Sequence, residues 1–112
     1  MDVIDHVAIV VDNIDVALSW YTKTFECEVE WHDESWALIA FQNCKLALVM
    51  GHQHPAHIAV LCGDAQRFGK PKMHRDGTRS VYCRDVDGNF VEFLERPSAF
   101  VPLDELGETD VA

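Results

Sequence analysis

His6-Val7-Ala8-Ile9-Val10-Val11 and His57-Ile58-Ala59-Val60-Leu61-Cys62 are near-copies of one short apolar strand, each opening on a histidine. A strand sends alternate side chains to one face, so each histidine shares a face with the alanine two residues on. The copies stand about fifty residues apart, the period of a duplicated structural unit. A later apolar run, Phe90-Val91-Glu92-Phe93-Leu94, places Glu92 on one face with Phe90 and Leu94. Symmetry between repeats brings equivalent positions together, so two imidazoles and one carboxylate far apart in sequence can converge on a single ion. A lone strand histidine is more often structural. The repetition, with a carboxylate whose burial is costly unless it is partnered, favours His6, His57 and Glu92 as metal ligands.

Outward from these strands the chain reads as two units. Ile4 to Val11 is a buried strand; Asp12-Asn13 supplies helix N-cap chemistry, and Ile14, Ala17, Leu18, Tyr21 and Phe25 follow at helical spacing. β-type runs then span about Cys27 to Trp31, Trp36 to Phe41 and Leu46 to Met50. After Gly51-His52-Gln53-His54-Pro55 the pattern restarts with a strand at Ala56 to Cys62, a single-turn helix at Asp64 to Phe68, and strands near Met73, at Ser80 to Arg84 and at Asn89 to Leu94. Asp87-Gly88 between the last two is a hairpin turn signal. The expected class is α+β: tandem βαβββ modules, about 1–51 and 52–97, in one domain 1–97, the second module with a shortened helix. Residues 98–112 read as an acidic tail whose Phe100, Val101, Leu103 and Leu106 either lie across a partner subunit or fray. His52 and His54, flanked by Gly51 and Pro55, read as a solvated turn.

At 112 residues with 48% apolar content, the chain is long enough for one domain with a core. Its formal charge of −10, from 19 acidic against 9 basic residues, argues against nucleic acid or an anionic membrane surface as a partner and favours a cationic or neutral small molecule. Cys27, Cys44, Cys62 and Cys83 form no Cys-x-x-Cys pair and read as reduced core thiols. With no signal-like start and no long apolar run, the expected location is cytoplasmic. Trp20 and Tyr21 read as core or interface, and Trp31 and Trp36 as core or pocket wall.

The tandem pattern, closing in Arg84-Asp85-Val86-Asp87-Gly88-Asn89-Phe90-Val91-Glu92-Phe93, resembles the vicinal oxygen chelate superfamily. That group holds glyoxalase I, methylmalonyl-CoA epimerase, fosfomycin-resistance enzymes, extradiol ring-cleaving dioxygenases and bleomycin-binding proteins. The resemblance covers about Ile4 to Pro97 and implies two curled modules closing into an incomplete cup. The implied ion is held by His6, a position within Leu46-Ala47-Leu48, His57 and Glu92. Ala47 stands where glyoxalases and epimerases carry Glu or Gln, and neither neighbour can ligate. Extradiol relatives likewise keep two histidines and the last Glu without a fourth ligand, the set that leaves iron open positions. His74, Val81-Tyr82, Asp85, Gly88 and Glu92 follow the order of their signature, with departures at Lys72 and Val86.

The resemblance therefore implies a homodimeric, metal-dependent enzyme. Fe(II) is favoured, and Mn(II), Ni(II) or Zn(II) are the other options. The activity implied is extradiol-type cleavage of a catechol-like substrate, with His74 as acid/base and Tyr82 bonding a substrate oxygen. Arg75, Arg79 and Arg84 are available to steer a carboxylate or to screen the acidic surface. The alternatives are a glyoxalase-like lyase or isomerase, a fosfomycin-type transferase, and, from another class, a non-catalytic drug-binding protein of bleomycin type.

Overall fold

Aliphatic and β-branched residues make Ile4–Val11 the first strand, β1. Asn13, extended at φ −150°, then accepts a 2.9 Å hydrogen bond from the Val16 N–H and opens the helix α1, Ile14–Thr24. The first half continues through β2 (Glu28–His32), β3 (Trp36–Ala40) and β4 (Lys45–Met50). The second repeats the plan with β5 (His57–Leu61), a 3₁₀ turn at Ala65–Phe68, β6 (Lys72–Met73), β7 (Arg79–Arg84) and β8 (Phe90–Glu95). The structure is a computed structural model and describes residues 1–96; the expected tail, 98–112, lies outside the described residues.

All eight strands form one mixed sheet in the order β2-β3-β4-β1-β5-β8-β7-β6. Each half runs outward from the centre in the same sequence, with β1 parallel to β4 and β5 parallel to β8, and the halves join where β1 meets β5 antiparallel. The sheet is curled and unclosed. Asp33, in the β2–β3 turn, lies 3.6 Å from Arg75, in the β6–β7 loop. In a flat sheet the five spacings between β3 and β7 would hold these segments roughly 24 Å apart, at ~4.8 Å per strand.

α1 covers the outer face of the first half. Ile14, Ala37, Ile39 and Leu48 form its buried core, with Ile9, Leu18 and Tyr21 packed against them. The inner face of the same strands carries a second cluster, Ala8, Ala47 and Val49, against Leu38. In the second half only the 3₁₀ turn lies over the outer face, where Phe68 stacks on Phe93 with centroids 3.7 Å apart.

Two expectations need correction. The four cysteines are free, as expected, but half-buried, and of them only Cys27 packs against a buried core cluster. Cys27, Cys44 and Cys62 sit just outside strand ends, and Cys83 lies on β7 beside the short turn, so none reaches the fully covered part of the sheet. Trp20 and Trp31 are largely exposed, at 56% and 49%, which removes the core alternative for both and leaves an interface for Trp20 and a pocket wall for Trp31, because Trp20 falls on the solvent side of α1 and Trp31 on the edge strand β2. Among the described residues no helix is long and apolar enough to cross a membrane.

Candidate metal centre

The joint between the halves brings three ligand-type side chains together on the inner face. His6 of β1, His57 of β5 and Glu92 of β8 each offer an atom within 4.8 Å of the others. Glu92 Oε1 lies 3.5 Å from His6 Nε2 and 3.2 Å from His57 Nε2. Such separations are the edges of a coordination polyhedron with bonds of roughly 2.0–2.2 Å. His57 and Glu92 are buried, at 7% and 4% exposure.

Each imidazole is oriented from its far nitrogen. His6 Nδ1 lies 2.8 Å from Asp5 Oδ2, and His57 Nδ1 lies 2.8 Å from the Pro55 carbonyl oxygen. A carboxylate and a carbonyl only accept, so both Nδ1 atoms carry a proton and both Nε2 atoms, each able to take a second proton or bind a cation, face Glu92. Three electron-pair donors converging in a buried pocket require protons or a cation between them. A histidine whose second nitrogen is tied to a carboxylate or carbonyl is the usual supporting arrangement for a metal ligand. The residues present therefore fit a divalent ion.

Local sequence explains these placements. The β1–β5 pairing shifts register between Ile4 and His6, and an irregularity of this kind re-aims a side chain that strict alternation would send to the other face. Asp5 thereby reaches the His6 ring, and Arg96, following β8, clamps the same carboxylate at 2.7–3.0 Å. On the far side, Asp85 Oδ1 accepts from the Asp87 and Asn89 N–H groups, and Gly88 takes φ +90°. That turn sets the register in which Tyr82 faces Glu92 across β7 and β8.

Without an ion, charge is balanced within the cluster. Burial works to lower the His6 pKa, but its bonds to Asp5 and Glu92 outweigh burial and raise it to about 9. Burial works to raise Asp5, but hydrogen bonds from His6 and Arg96 bring it to about 2. Glu92 is held well below the usual carboxylate range, against burial, by hydrogen bonds from His57, His6 and Ser80. Burial, reinforced by the negative charge of Glu92, pushes the Tyr82 phenol far up and keeps it protonated.

Register identifies the fourth position. His57 is followed two residues on by Ala59, which pairs with Glu92; His6 is followed by Ala8, which pairs with Ala47. Ala47 is thus the counterpart of Glu92, and at 3% exposure its methyl group lies on the same inner face.

His74 and Tyr82 border the three ligands. His74 Nε2 lies 3.6 Å from Glu92 Oε2 and 2.6 Å from Ser80 Oγ; Tyr82 Oη lies 3.4 Å from His57 Nε2. The loop carrying His74 is closed by its N–H donating to the Thr78 carbonyl at 2.8 Å, with Gly77 at φ +89°. Beside them opens a cavity of about 420 Å³ that also reaches His52, His54 and Lys72. Residues 51–53 form a turn with His52 exposed, as read from the sequence, while His54 is half-buried; both histidines border the cavity. Arg75 and Arg79 are committed to Asp33 and Glu95, and the Arg84 guanidinium lies over the Phe90 ring. Sequence reasoning missed Asp5, Ser80 and Arg96; a carboxylate adjacent to a ligand histidine was the one available signal, and strand alternation argued against it.

Comparison with known proteins gives a family and a fold. Residues 3–93 match the model of the Glyoxalase/Bleomycin resistance protein/Dioxygenase superfamily. No curated protein matches the chain. Among solved structures, a member of that superfamily from Vibrio splendidus 12B01 is 13% identical with a TM-score of 0.64, over 85% of this chain and 99% of that one. A hypothetical protein from Bacillus halodurans C-125 is 15% identical with a TM-score of 0.69, over 86% and 95%. Methylmalonyl-CoA epimerase from Mycobacterium tuberculosis is 18% identical with a TM-score of 0.63, over 88% and 91%. At these identities the likeness is one of fold.

Proposed function

The chain belongs to the Glyoxalase/Bleomycin resistance protein/Dioxygenase superfamily, and from that premise we propose that it is an Fe(II)-dependent, extradiol-type ring-cleaving dioxygenase acting on a catechol-like small molecule. The observation that carries this reading is the three-ligand set His6, His57 and Glu92, with Ala47 at the repeat position where a fourth side chain would stand. Fe(II) held by two imidazoles and a carboxylate keeps open positions for a vicinal diolate and for dioxygen, and supplies the electron transfer between them.

The protein's own groups have separate tasks. Ala8, Ala47 and Ala59, all small and buried, form the inner face beside the candidate ligands. Asp5 and the Pro55 carbonyl hold the two imidazoles in the ligating tautomer. His74 takes a phenolic proton from the substrate at Nε2 and returns it later, with the Ser80 hydroxyl at 2.6 Å to hold or relay it. Tyr82, kept protonated, donates a hydrogen bond to a substrate oxygen. The same reading takes residues 1–97 as one domain and the protein as a homodimer. Apolar surface left by the short second helix, at Ile58 and Phe68, supports the dimer.

The test is anaerobic reconstitution with Fe(II), then air-saturated buffer and a panel of catechols. Oxygen consumption with a yellow ring-fission product is expected. No uptake across the panel, with Ni(II), Mn(II) or Zn(II) protein turning over a hemithioacetal or an epoxide antibiotic, would replace this reading with Lewis-acid catalysis. Tight binding of a cationic drug by metal-free protein, with no turnover, would leave sequestration.

A further inference from the structure

The cavity beside His74 and Tyr82 has a charge character opposite to that of the chain. The protein carries a formal charge of −10, yet Lys72, His52, His54 and His74 line this wall with the rings of Tyr82 and Phe90, and no carboxylate is among the lining side chains. Elsewhere Lys45, Arg67, Arg75, Arg79 and Arg96 each lie within ion-pair distance of an acid. Lys72, like Lys23, Lys70 and Arg84, makes no such pair among the described residues, and of these four it is the one that lines the cavity. A concave wall that carries a lysine and imidazole donors but no carboxylate attracts an anion.

We propose that this wall is a subsite for an anionic substituent, a carboxylate carried by the substrate ring, with Lys72 supplying the charge and His52 and His54 the imidazole N–H donors. Tyr82 and Phe90 line the same cavity and both adjoin His57, Tyr82 Oη at 3.4 Å and Phe90 as its pairing partner on β8, so a ring held against them would have its carboxylate toward the His52–His54 loop. The Arg84 guanidinium, 4.8 Å over the Phe90 ring, steadies that wall. Charge-assisted hydrogen bonds are about twice as strong as neutral ones, which makes the carboxylate a selectivity handle rather than a bystander. The ring's identity rests on the ring-cleaving reading; the anion subsite does not.

The experiment uses the full chain and two probes without a diol, phenylacetate and its neutral counterpart 2-phenylethanol, followed by NMR of the histidine ring signals. Phenylacetate is expected to shift the His52 and His54 signals saturably, to bind at least roughly tenfold tighter than 2-phenylethanol, and to weaken as salt rises. Lys72→Met should remove that preference and Lys72→Arg should keep it. Equal binding of the two probes, or a preference that survives Lys72→Met, overturns the subsite. Oxygen uptake with catechols is scored separately: uptake with equal probe binding defeats only the subsite, and a carboxylate preference without uptake defeats only the dioxygenase.

Discussion

Leu48 and Phe93 hold the same place in the two halves, each one residue beyond the paired positions Ala47 and Glu92, but their surroundings differ. Leu48 is fully buried in the cluster beneath α1; Phe93 is half-buried and covered by one ring, Phe68, from a four-residue turn. Polar burial runs the other way. The buried polar residues His57, Thr78, Ser80 and Glu92 all belong to the second half, whereas both apolar core clusters are built from the first. A duplicated unit has thus divided its work. One copy keeps the helix and the packing, and the other trades cover for ionisable groups facing an open cavity, with β1 and β5 tying the reactive half to the rigid one.

This contrast can be broken or sharpened by substitution. The largest effect is expected at His74, where phenylalanine should slow catechol turnover by roughly 10²–10⁴-fold, the range for lost acid/base catalysis, with metal affinity nearly unchanged. Steady-state oxygen uptake beside a metal titration checks it, and an equal loss in both would assign His74 to structure instead. Next is the packing pair. Leu48→Ala should cost about 2–5 kcal/mol of stability and Phe93→Ala roughly half as much, because a half-exposed ring leaves no closed cavity. Urea unfolding reads both, and a larger loss at Phe93 would invert the assignment of the core to the first half.

Smaller effects test the supports of the site. Asp5→Asn leaves His6 in place but removes the charge behind it, and should weaken metal binding by about 10–100-fold in a competitive titration. For metal-free protein the sign of the pH effect follows from His6. Its pKa is raised from 6.5 to about 9 on folding, so its stabilising contribution is complete below pH 6.5 and is lost as pH rises through 9. Glu92 is depressed below its ordinary 4.5, so its contribution is present above that pH and is lost on acidification. Melting temperature without metal should therefore fall between pH 6.5 and 9. Metal affinity should rise over the same interval, since the ion displaces the His6 proton.

Most of this architecture was legible from periodicity. The strand copies at His6 and His57 announced the duplication, Asn13 and the spacing of Ile14, Ala17, Leu18 and Tyr21 announced the helix, and Gly63 to Gly69 left too few residues for a second one. The family and the curled, unclosed sheet follow as expected. The convergence of His6, His57 and Glu92 was readable because alternation and repeat symmetry both act on strand residues. Their supports were not. Asp5 reaches His6 through a local break in register, and Ser80 meets His74 across a loop whose path depends on Gly77 and Asp76. The Gly and Pro flanks of the His52–His54 segment correctly marked a solvated turn at His52, but they could not show that Lys72 and His74 border the same cavity and leave His54 half-buried.

The central claim is that one divalent ion is held jointly by the two halves, and metal analysis of wild type and Glu92→Ala, both purified without chelator and loaded under identical anaerobic conditions, tests it most directly. The account predicts about one equivalent of metal per chain in the wild type, for three converging ligands, and near-complete loss in Glu92→Ala with an unchanged far-ultraviolet circular dichroism spectrum. Equal metal occupancy in the two folded proteins would contradict it.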